Sequence, residues 1–176
     1  MEHQTNSFQV NPFPNLSAHE LAHQWFGDKV TCGSWQHIWL NEGFATYLTL
    51  MFLEFGFPNS YGSNFVGTYN NVLSDSTGSV FCADTTDVGR IFSGRLSYNK
   101  GAMVLHMLRK VVGDSTFARG VRRYLSDPKV SYGYALTADL QRNMEAEYGK
   151  SLTNFIQKWV YGEGYPNYQA TWKQNK

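Results

Sequence analysis

Ser17-Ala18-His19-Glu20-Leu21-Ala22-His23-Gln24-Trp25-Phe26-Gly27 places two histidines four positions apart, with a glutamate directly after the first. On a helix, residues i and i+4 lie one above the other, so His19 and His23 can turn a ring nitrogen toward one ion. The pattern predicts a helix from about Leu16 to Phe26, capped by Asn15 or Ser17 and stopped at Gly27. Glu20 lies one step round the helix, poorly placed to ligate that ion but able to reach a water bound to it. That division makes H-E-x-x-H read as two zinc ligands and a general base. By chance the motif arises in roughly one or two of a hundred chains of this length. The bland alternative is an amphipathic helix carrying two half-buried histidines.

A catalytic zinc takes three protein ligands and keeps one position open. The third is offered by Trp39-Leu40-Asn41-Glu42-Gly43-Phe44-Ala45, where a carboxylate among apolar residues is costly unless paired or metal-bound. Positions 24–41, 18 residues, separate His23 from Glu42, enough for a turn and a return of the chain. His19, His23 and Glu42 are therefore expected to hold one zinc ion. Two neutral imidazoles and one carboxylate would leave it a net positive charge that acidifies bound water.

Outward from these helices the chain reads as mostly α. Residues 1–10 look like an extended strand, followed by a turn at Asn11-Pro12-Phe13-Pro14-Asn15. Trp39–Phe55 is a strongly apolar helix ending at Gly56, and Pro58 opens another reaching Leu73. Ser74–Gly89 reads as a long loop. From Leu96 the helical pattern resumes and stops at Gly113. Asp114 or Ser115 caps a helix to Ser126, Thr137 caps one to Tyr148, and Ser151 starts a last one through Tyr161. Tyr165–Lys173 is a possible strand. Several helices without a full sheet suggest part of a domain.

Lys and Arg number 15 and Asp and Glu 14, a net charge of +1 that gives no reason to expect nucleic acid or an anionic membrane. No apolar run reaches membrane-spanning length, and Met1-Glu2-His3-Gln4-Thr5 has no signal-peptide pattern. Cys32 and Cys82 are equally compatible with a disulfide and with two buried thiols. Few charges and many Asn, Ser, Thr and Tyr favour an exported protein. His37 and His106 read as packed or solvent-facing, Arg122-Arg123 as a solvated helix face, and Trp25, Trp35 and Trp39 as core.

The string His19 to Asp28, with Val30-Thr31, Trp35 and Trp39 to Ala45, resembles the aminopeptidase N and leukotriene hydrolase family of zinc gluzincins. The resemblance implies the helical, zinc-bearing part of a thermolysin-like catalytic domain over residues 1–176, with a short N-terminal strand. It also implies a catalytic tyrosine, matched by Tyr98 in Ser97-Tyr98-Asn99-Lys100-Gly101-Ala102, which would hydrogen-bond the oxyanion. The family's Gly-x-Met-Glu-Asn motif is matched by Met1-Glu2-His3, which makes Glu2 the group that binds a substrate's free amino terminus. Zinc-dependent removal of N-terminal residues from peptides is the implied activity. The rivals are an endopeptidase of the same type and a zinc module without turnover. Two departures stand out. Thr49 replaces an acidic residue that supports a zinc-bound histidine in many members. The family's N-terminal β-domain and any C-terminal domain are also missing, so this chain is expected to pack on them within a longer parent.

Overall fold

Pro14 opens the first helix, α1 (Pro14–Ala22). A ring that fixes φ and lacks an N–H suits the first helical position, where that N–H would have no partner. The structure, a computed structural model, describes residues 3–166 and 169–174. Helix α1 starts before Leu16 and closes before Phe26, and Phe13 precedes it without a side-chain cap, so neither Asn15 nor Ser17 has the expected role. Past Ala22 the chain tightens, with the N–H groups of Gln24 and Trp25 on the carbonyls of Leu21 and Ala22. Gly27 then reverses direction at a φ of +150°, where a side chain would be strained.

Strand β1 (Val30–Cys32) follows, then a single turn at Trp35–His37 and α2 (Trp39–Gly56). Every residue from Trp39 to Ala45 is buried. A helix apolar on all sides belongs at the centre of a core. Around it come α3 (Pro58–Leu73), α4 (Val88–Ile91), a π-helical turn at Gly94–Lys100, and α5 (Gly101–Val112). The chain continues through α6 (Asp114–Ser126), β2 (Gly133–Ala135), α7 (Thr137–Tyr148) and α8 (Thr153–Ile156), which runs into a second π turn, Gln157–Tyr161. Helices α1, α3 and α5 pack on α2, and α6 packs on α7. The rings of Phe26 and Phe44 stack at 4.0 Å, and Tyr124 adds a third parallel ring at 6.3 Å from Phe44.

Two sequence expectations of strands fail. Residues 3–10 form none; the Asn6 N–H turns back onto the His3 carbonyl, and no described strand runs beside them to pair. The described part of 165–173 is likewise without strand. The strands among the described residues, β1 and β2, pair in parallel, Val30 with Gly133 and Cys32 with Ala135. Three residues are too few to display alternation, and the partners lie a whole set of helices apart in sequence.

Smaller corrections follow from packing. Gly113 rather than Asp114 or Ser115 precedes α6, and Leu136 rather than Thr137 precedes α7, its N–H held by the Asp139 carboxylate at 2.9 Å. Trp39 is core, but Trp25 and Trp35 are 46% and 51% exposed. Cys32 and Cys82 lie beside Ile38 and Ile91 and are not joined in a disulfide. His37 is buried and receives the Thr137 hydroxyl at 2.8 Å, while His106 lies edge-on to Tyr47 and Phe65. Among the described residues no helix is long and apolar enough to cross a membrane.

Candidate metal centre

His19 lies in the last turn of α1, and His23 is the residue that ends it. The close of the helix at Ala22 leaves His23 in helical conformation, so the i, i+4 relation survives. Its Nδ1 is 2.9 Å from the Phe26 carbonyl oxygen. A carbonyl only accepts, so in the neutral ring Nδ1 carries the proton and Nε2 presents a lone pair. Gly27 makes this possible: a Cβ there would lie 3.3 Å from that Nδ1 and 3.2 Å from the His23 carbonyl oxygen.

Glu42 sits in the first turn of α2, where the helix dipole favours a negative charge. Asn41 ties that turn to β1 by accepting the Cys32 N–H at 3.0 Å. Burial works to raise the Glu42 pKa, but the hydrogen bonds that His19 and His23 donate when protonated, together with the charge of those rings, bring it down to about 2. The carboxylate is ionised at neutral pH.

His19 Nε2 and His23 Nε2 are 3.1 Å apart, and Glu42 Oε2 is 3.3 Å from the first and 3.4 Å from the second. Metal–nitrogen distances of 2.0–2.1 Å in a tetrahedron give ligand–ligand separations of about 3.3–3.4 Å. The triangle therefore has the size of one face of such a tetrahedron. Its donors are also right: a lone-pair nitrogen and an ionised oxygen converge with a second imidazole, a set that suits a borderline cation. The group fits a metal ion.

Two further groups stand near it. Glu20, directly after His19, is buried. The Tyr98 ring lies nearly parallel to that of His19, 10° off, with centroids 5.9 Å apart. Tyr98 reaches this place because the π turn leads into α5 where α5 crosses α2 at its closest. A Cβ on Gly43 would come within 3.0 Å of the Gly101 backbone, and one on Gly101 within 3.1 Å of Gly43 Cα. Gly43 directly follows Glu42, and Gly101 comes three residues after Tyr98, so this glycine contact sets the spacing between the Glu42 carboxylate and the phenol.

Thr49 does not stand in for an acidic group behind a histidine; its hydroxyl donates to the Ala45 carbonyl of its own helix at 2.9 Å. Glu2 lies outside the described residues. Its neighbour His3 accepts a bond on its carbonyl oxygen from Gln24 Nε2 at 2.7 Å, beside the end of α1. Sequence reasoning gave Gly27 only the part of a helix stop, and quoted Asn41, Gly43 and Gly101 within motifs without assigning them one. Their only signal was small or polar character inside otherwise apolar or helical stretches.

Comparison with known proteins agrees with this geometry. The chain is 36% identical over 158 residues to Tricorn protease-interacting factor F2 of Thermoplasma volcanium, which covers 85% of this chain and 20% of that protein. It is 36% identical over 157 residues to a leucyl aminopeptidase of Saccharolobus solfataricus, with the same coverage of 85% and 20%. The chain thus spans about a fifth of the length of these curated relatives. The crystal structure of an M1 zinc metallopeptidase from Deinococcus radiodurans superposes with a TM-score of 0.73 at 30% identity, covering 87% of this chain and 34% of that one. Residues 3–159 match the Peptidase family M1 domain. A match running through nearly the whole chain, together with the shared fold, assigns the sequence: it belongs to peptidase family M1.

Proposed function

We propose that this chain is the metal-bearing part of a zinc aminopeptidase, which removes the first residue of peptides with a free amino terminus. The observation that carries this reading is the triangle of His19 Nε2, His23 Nε2 and Glu42 Oε2, of a size and donor type suited to one zinc ion. The aminopeptidases and zinc metallopeptidase among its relatives support both the metal and the reaction class. Zinc held there would polarise the scissile carbonyl and make water acidic enough to attack near neutral pH.

Glu20 accepts the proton of the attacking water and later returns it to the leaving amine. Its buried place directly after His19 supports that part. The Tyr98 phenol donates a hydrogen bond to the oxyanion that develops on the carbonyl. Glu2 pairs with the substrate ammonium, so that only the first peptide bond comes over the site. Exposed apolar side chains on α1, on the turn after it and on α2, among them Leu21, Trp25 and Phe52, support seating against a further domain of a longer protein.

The test compares a peptide with its N-acetylated form. An α-amino group has a pKa near 8, so it is mostly charged at pH 7 and acetylation removes that charge. Charge-assisted bonds contribute about 1.5–3 kcal/mol, so the blocked peptide should be cut at least about tenfold more slowly. Equal rates, or internal cuts in a blocked peptide, favour an endopeptidase. Zinc content that His23→Ala leaves unchanged would sink the metal assignment.

A further inference from the structure

Basic residues stand at positions 90, 95 and 100, and all three donate to the backbone of one segment, residues 75–81. Arg90 Nη2 reaches the carbonyl oxygens of Ser79 at 2.8 Å and Phe81 at 3.0 Å. Arg95 reaches those of Asp75 and Thr77, both at 2.8 Å. Lys100 Nζ donates to the Gly78 carbonyl at 2.9 Å. The Gly78 N–H is held in turn by the Glu163 carboxylate at 3.2 Å, which anchors the segment from its other side.

A spacing of five matches the i→i+5 bonding of a π-helix, so Arg95 and Lys100 share one face of the Gly94–Lys100 turn. Tyr98 extends from the same turn to His19. The turn is further closed by the buried Ser97 hydroxyl, which donates to the Ile91 carbonyl at 2.7 Å. Rare backbone conformations persist only where their surroundings over-determine them, and they concentrate at functional sites. Lys100 is an expensive choice for a mere staple: it is 5% exposed, and burial pushes its pKa down. An aliphatic side chain would fill the same space without the cost of desolvating a charge.

We propose that Lys100, assisted by Arg95, is a positioning residue for Tyr98. By tying the π turn to the Asp75–Phe81 segment it holds the phenol beside His19 at the metal centre. The inference rests on the assignment of Tyr98 to the oxyanion. It predicts an effect on the transition state with little effect on the metal or on substrate binding.

The experiment is a double-mutant cycle in the zinc-loaded full-length protein. Lys100→Met should lower kcat at least about tenfold while KM and zinc content change less than about twofold. In a Tyr98→Phe background the same substitution should change kcat by less than about twofold, because there is no hydroxyl left to misplace. Arg95→Gln, at a partly exposed position, should show the same coupling with a drop of at least about threefold, and it serves if Lys100→Met does not fold. Loss of kcat of equal size in both backgrounds overturns the positioning while leaving the Tyr98 assignment intact. Loss of zinc along with kcat overturns it as well. If Tyr98→Phe alone leaves kcat unchanged, the assignment fails and the positioning falls with it.

Discussion

Replacing Gly43 by alanine tests whether the crossing of α2 and α5 builds the site. The added Cβ would lie 3.0 Å from the Gly101 carbonyl carbon and 3.1 Å from its Cα. Carbon atoms rest at about 3.5–4.0 Å, so the two helices must part by roughly 0.5–1 Å. The obstruction is backbone on a buried helix, which cannot swing aside as a side chain can. Overpacking of this kind costs about 1–3 kcal/mol. Alanine recovers about 0.5–1 kcal/mol through its better helix propensity, leaving a net loss of about 1 kcal/mol at mid-range and at most about 2.5 kcal/mol. At about 2–4 °C per kcal/mol for a chain of this size, the midpoint of thermal unfolding should fall by about 2–4 °C, and at most by about 10 °C. Gly62 in α3 is the control, because a Cβ there meets nothing within 4 Å. Gly62→Ala should therefore raise the midpoint by about 1–4 °C through propensity alone. Thermal unfolding followed by circular dichroism, with zinc and with a chelator, checks both. Because Glu42 adjoins Gly43, the loss should be larger with zinc than without it. If Gly43→Ala unfolds at or above the temperature of the unaltered protein, the close crossing does not constrain the site as argued.

Glu20→Gln should keep zinc and lose hydrolysis by about 10² to 10⁴-fold, since an amide cannot take the water's proton; near-normal turnover on a free peptide would remove Glu20 from the reaction. Asp127 carries a pH-dependent share of stability. Hydrogen bonds from Asn143, Arg142 and the Lys129 N–H hold its carboxyl well below the usual range. A depressed carboxylate stabilises the fold above its unfolded pKa, near 3.9, and loses that contribution as pH falls through the folded value. Asp127→Asn should cost about 1 kcal/mol at pH 7, a figure kept low because the Arg142 side chain is 44% exposed. The gap between variant and unaltered protein should narrow below about pH 4, as the carboxyl of the unfolded chain takes up its proton while the native one stays ionised. A gap that denaturant titration finds constant from pH 7 to pH 3 would refute this origin.

The periodic helices were readable in advance. Trp39–Gly56 and Pro58–Leu73 needed only an apolar run, a proline and a terminal glycine, all local signals. So did the convergence of the two histidines, because the i, i+4 geometry of His19 and His23 is a property of one helix. The return of Glu42 to that pair needed only a chain long enough to fold back. What lay beyond reach was everything decided by contact between distant segments. The parallel pairing of Val30–Cys32 with Gly133–Ala135 brings together two stretches that carry no strand pattern of their own. The early end of α1 at Ala22 follows from the reversal at Gly27 and the bond from His23 to Phe26, not from helix propensity. Tyr98 could be singled out among many tyrosines only through a motif. Its actual place beside His19 comes from two glycines that let helices touch and from a π turn tied to a loop some twenty residues earlier. Local pattern specifies which groups are available. Their distances are set by how closely backbones can approach, and that depends on both partners at once.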